Sequence, residues 1–134
     1  MKSLISAFAL LALAVPAHAQ EAPPRPPMPE KPANLPPLTV SQTTWLRCAV
    51  NLAMVAKGQA GGVASTQHYP AVSQDRAREF FVQVMARLMD EAKLSRDQVR
   101  AYTLYETQLM AAQGPDALHA LMPGCFQLLE AAEG

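Results

Sequence analysis

Glu106 is the residue whose position most invites chemistry. On a helical wheel with Val99, Tyr102, Tyr105, Leu109 and Met110, its carboxylate falls inside the apolar arc. A lone buried charge is too costly to leave unpaired. The natural partner is Arg47, the one cation within the first helical segment before its terminal Lys57, with Asn51 or the tyrosine hydroxyls as supporting donors. Two outcomes compete: a carboxylate tuned to act as acid or base in a pocket, or an ion pair that fixes helix register. No second carboxylate or histidine stands at useful local spacing, so the expectation is the ion pair Arg47 with Glu106.

The chain has two cysteines, Cys48 and Cys125. An even pair with no C-x-x-C or C-x-x-C-H spacing excludes the usual redox and haem-attachment motifs. A disulfide between the first and last helical segments is the simplest reading in an oxidising compartment. Zinc on the two cysteines with His68 and His119 lacks motif spacing. Copper(I) on Met54, Met85, Met89, Met110 and Met122 with His68 or His119 is the alternative for an exported protein. The methionines lie at core positions without a dense Met-x-x-Met run, so core packing is the expectation. Ser65, Thr66 and His68 are neighbours in a loop, which is weak evidence for a triad. Gly58, Gly61 and Gly62 lack the lysine and preceding strand of a phosphate loop. No enzyme active site, cofactor site or metal site is expected.

The elements that must hold these residues are helical. Ser41 or Thr43 can cap a first helix through Lys57, with Gly58 as its stop. Ten of the thirteen residues from Trp45 to Lys57 are apolar, which predicts burial on most sides. A Gly-rich loop from Gly58 to Pro70 reads as mobile. Ser73 caps a second, clearly amphipathic helix to about Lys93, and Ser95 opens a third with a capping box and ends near Gln113. A fourth segment from Pro115 or Asp116 is interrupted around Pro123-Gly124 and resumes through Cys125, Leu128, Leu129 and Ala132. The expected fold is all-α, a small four-helix bundle, or five helices if the last is broken at Pro123, with one disulfide.

The N-terminal third is different in kind. Lys2, the apolar stretch from Leu4 to Val15, and Ala17-His18-Ala19 form a secretory signal pattern with cleavage after Ala19. The apolar stretch is well short of the roughly 20 residues of a spanning helix. Residues 20–40 then form a Pro-rich, disordered linker with eight prolines between Pro23 and Pro37. Polyproline II is its expected state, reaching roughly 50 Å as a stalk. A PxxP ligand for another protein's groove is the functional variant of the same segment. The helical domain is assigned to residues 41–134.

Charge narrows the function classes. Eleven basic residues balance eleven acidic ones, and removal of residues 1–19 takes Lys2 and leaves a net charge of −1. Nucleic-acid binding, which needs a concentrated basic surface, is excluded on this balance. In general layout, Ala17-His18-Ala19, the proline run and Cys48 with Cys125 resemble small secreted helical proteins of proteobacteria, a resemblance that implies no activity. The expectation is therefore a periplasmic or secreted interaction module, not an enzyme. It would bind a protein or an apolar ligand in the cell envelope, with no stable membrane span after signal cleavage. Copper handling is the runner-up and an enzyme of unknown class comes third.

Overall fold

A computed structural model describes residues 23–134. The expected signal segment, with cleavage after Ala19, lies outside the described residues. Among those residues there are four α-helices and no strand: α1 (Val40–Ala60), α2 (Gln74–Glu91), α3 (Arg96–Gln113) and α4 (Pro115–Glu133). A short 3-10 turn at Ala64–Thr66 interrupts the connection from α1 to α2.

Local chemistry starts each helix. Thr39 caps α1 and forms a capping box with Gln42, so the helix begins earlier than a Ser41 or Thr43 cap would place it. Ser73 accepts from the Arg76 amide at the start of α2. Ser95 and Gln98 form the capping box of α3 as the sequence predicts. Gly114 turns α3 into α4 with φ of 84°, and Pro115 occupies the first helical turn, where its missing N–H costs nothing.

The expected stop at Gly58 is corrected, because α1 runs on to Ala60. A Cβ at position 58 would stand 2.5 Å from Thr66 Cγ2. Gly58 therefore serves close packing of the following turn, not helix termination. The break at Pro123 does not occur either, and α4 is one helix with Pro123 inside it. An interior proline costs a helix about 3 kcal/mol. Full burial contributes about 1.5–3 kcal/mol per large apolar side chain. The buried Met122, Cys125, Phe126 and Leu129 flank Pro123 and together outweigh its cost.

α1 is the central element and packs against all three other helices. Leu46, Ala49, Leu52 and Val55 from α1 are almost wholly enclosed, with Phe80 and Leu88 from α2, Tyr102 from α3, and Met122 and Leu129 from α4. The disulfide Cys48–Cys125 joins α1 to α4 inside this core, with Cα atoms 5.0 Å apart.

Residues 23–39 contain no helix or strand, as their prolines require. Their course differs from a stalk directed away from the domain. Leu35 and Leu38 pack on the core. The Tyr102 hydroxyl donates to the Pro36 carbonyl, and Lys31 Nζ lies 5.6 Å from the Tyr102 ring centre. Apolar contact and a buried phenol needing an acceptor draw the segment onto α3.

Candidate functional site

The polar seam between α1 and α3 brings two of the sequence candidates together. Arg47 Nε donates to Glu106 Oε2 at 2.9 Å and its Nη2 donates to Oε1 at 3.3 Å. Glu106 is only 2% exposed, while the Arg47 side chain keeps 31% of its surface open. The hydrogen bond to Glu106 raises the Arg47 pKa above its ordinary value, against the opposing effect of burial. Both carboxylate oxygens are thus engaged, and the group is sealed from solvent.

Two of the expected supporting donors, Asn51 and Tyr102, go elsewhere. Asn51 Nδ2 donates to the Arg47 carbonyl at 2.8 Å, and its fully buried Oδ1 has no hydrogen-bond partner. The Tyr102 hydroxyl serves Pro36. The seam is therefore a two-residue ion pair braced by an amide.

The two histidines, far apart in sequence, are neighbours in space. The His68 and His119 ring centres are 5.7 Å apart, and Tyr69 packs beside both at 4.1 and 6.2 Å. Both imidazoles are exposed, and burial raises the Tyr69 phenol pKa. The segment carrying His68 is tied down. Gln59 Nε2 donates to the carbonyls of Thr66, Tyr69 and Pro70, and its Oε1 accepts from the Val72 amide. The loop expected to be mobile is thus laced to the end of α1, chiefly by Gln59, with Gln67 Nε2 donating back to the Gln59 carbonyl. Gln59 could not be singled out from sequence, because its partners are main-chain atoms that carry no residue-type signal.

The zinc combination weighed from sequence loses its thiolates. Cys48 and Cys125 are oxidised to a disulfide and offer no thiolate. Met85, Met110 and Met122 are buried in the core and Met54 and Met89 are half-buried, while the histidines face solvent. Among the described residues, no group of three or more His, Cys, Asp or Glu side chains converges on one point. Ser65 and Thr66 lie in the turn before His68, where the Thr66 hydroxyl donates to the Val63 carbonyl and so serves the turn itself.

A groove of about 360 Å³ lies between α1 and α2, lined by Ala53 and Lys57 from α1 and Gln74, Ala77, Arg78 and Phe81 from α2. The spacing of 74, 77, 78 and 81 places these residues on one helix face, and 53 with 57 does the same on α1. Its floor is alanine and phenylalanine, its rim carries two cations, and no acidic side chain lines it. Arg78 lies 3.8 Å from Asp75, an exposed pair of little energetic weight. A second cavity, between α2 and α4, has its one cation Arg76 bound by Glu133, whose carboxyl is held below its usual pKa by that hydrogen bond. The α1/α2 groove escapes a sequence reading because Phe81 looks like a core residue and Lys57 and Arg78 look like solvated charges.

Comparison with protein-family models, with curated proteins and with solved structures gives no match.

Proposed function

We propose that the chain is an exported binding module of the cell envelope, periplasmic or secreted, that acts noncovalently through the α1/α2 groove. The signal pattern ending at Ala19 and the core disulfide support export, since disulfides persist in oxidising compartments. Among the described residues, no helix is long and apolar enough to cross a membrane. The observation that carries the binding reading is the apolar floor of Ala53, Ala77 and Phe81 beneath the cations Lys57 and Arg78.

The groove is open rather than enclosed, with Lys57, Gln74 and Arg78 all exposed. Small-molecule pockets bury most of their ligand, whereas an amphipathic helix needs a shallow apolar trough. The occupant we assign is a protein segment presenting apolar anchors with acidic flanks. Binding is favoured over catalysis because the buried carboxylate Glu106 is neutralised by Arg47 and closed to solvent.

Two labelled helical peptides with identical Leu and Phe anchors, one flanked by Glu and one by Lys, test this by fluorescence anisotropy. The acidic peptide should bind more tightly by about tenfold, and Phe81→Ala should weaken it by a similar factor. Arg78→Glu, at an exposed position that leaves the core untouched, should reverse the preference. Equal binding of both peptides, or a preference indifferent to Arg78→Glu, would overturn the assignment.

A further inference from the structure

We infer that His68 and His119 form a two-histidine site for a divalent transition-metal ion, Cu²⁺ above Zn²⁺, independent of the α1/α2 groove. Neutral imidazole is a ligand shared by copper and zinc, and copper(II) binds nitrogen donors more tightly than zinc does. The distance between the rings suits one ion. A metal about 2.0–2.1 Å from each imidazole nitrogen stands roughly 3.2 Å from each ring centre, so two coordinated rings have centres about 4.5–6.4 Å apart. The observed 5.7 Å falls within that span.

The supports of the two ligands argue in the same direction. His119 projects from α4, a continuous helix anchored by the buried Met122 and Cys125. His68 sits in a loop whose carbonyls at 66, 69 and 70 are gathered by Gln59. Both ligands are therefore placed before any ion arrives, which lowers the ordering cost of binding. Tyr69 packs beside both rings and so shapes the site. The remaining coordination positions fall to water, since no third His, Cys, Asp or Glu among the described residues converges there. Met85, Met110 and Met122 are buried in the core, out of reach of an ion at the surface.

Calorimetric titration of the oxidised, untagged protein with CuCl₂ and with ZnCl₂ tests the site. One ion per chain is expected, with tighter binding of copper. His68→Ala and His119→Ala should each weaken binding by at least about tenfold, and the exposure of both side chains leaves the fold intact. Electron paramagnetic resonance of the copper form should report two equivalent nitrogen ligands, reduced to one in either variant. No binding, or binding of unchanged strength in both alanine variants, would overturn the proposal. A failed peptide experiment at Phe81 and Arg78 bears only on the groove, because the two sites share no residue.

Discussion

At the scale of single residues, the Arg47–Glu106 pair makes the clearest demand. Glu106 is enclosed while Arg47 reaches solvent, so the two partners are not equivalent. Arg47→Ala strands a buried carboxylate and should cost about 3 kcal/mol. Glu106→Gln leaves a cation that water can still reach and should cost about 1–2 kcal/mol. Replacing both by apolar side chains, Arg47→Met with Glu106→Leu, should be less damaging than Arg47→Ala alone. Urea unfolding midpoints of the three variants check this order, and Arg47→Ala being the mildest would contradict it. The pair was legible in the sequence because a 3.6-residue repeat places Glu106 in an apolar arc and leaves Arg47 as the cation inside the apolar stretch of α1, Lys57 standing at its far end. The tyrosine contribution was not, since Tyr102 turns to a carbonyl of the proline segment, and a helical wheel holds no information about what docks on it.

At the scale of elements, the end of α1 and the turn after it form one unit. Gly58 admits the Thr66 side chain at a distance no Cβ could tolerate, and Gln59 then gathers the main chain as far as Val72. Gly58→Ala gains up to about 1 kcal/mol of helix propensity. It also meets Thr66 Cγ2, and overpacking of this kind costs about 1–3 kcal/mol. A lowered melting temperature is expected for Gly58→Ala, with most of the loss recovered when Thr66→Ser removes the offending methyl. Additive effects of the two substitutions would show that the contact is not the cause. Helix starts were legible where a serine precedes a polar first turn, as at Ser73 and Ser95. Helix ends were not. Gly58 and Pro123 carry the usual stop signals, yet in both places tertiary packing outweighs the local preference.

At the scale of the whole molecule, the disulfide is the covalent tie. It closes 77 residues and joins the central helix to the last. The chain-entropy account of such a loop predicts about 4.5 kcal/mol. That is a large fraction of what a small domain possesses. Replacing both cysteines by alanine should lower stability by about 3–4.5 kcal/mol in a denaturant titration, and an unchanged midpoint would show that the bond is redundant. The all-helical class and this covalent link were legible because apolar periodicity and an even cysteine count are properties of composition and spacing. The course of residues 23–39 was hidden, since prolines report what a segment cannot form and say nothing about where Leu35, Leu38 and the Pro36 carbonyl will settle.

The same bond sets a problem of timing for the nascent chain. With only two cysteines, one intramolecular pairing exists, so nothing within the molecule needs to be reshuffled. Cys48 nevertheless emerges 77 residues ahead of Cys125 and waits for its partner as a lone thiol. An oxidant that reaches it in that interval can join it only to a different molecule. The yield of the intramolecular bond is then governed by dilution and by how late oxidation comes, not by the supply of a disulfide isomerase.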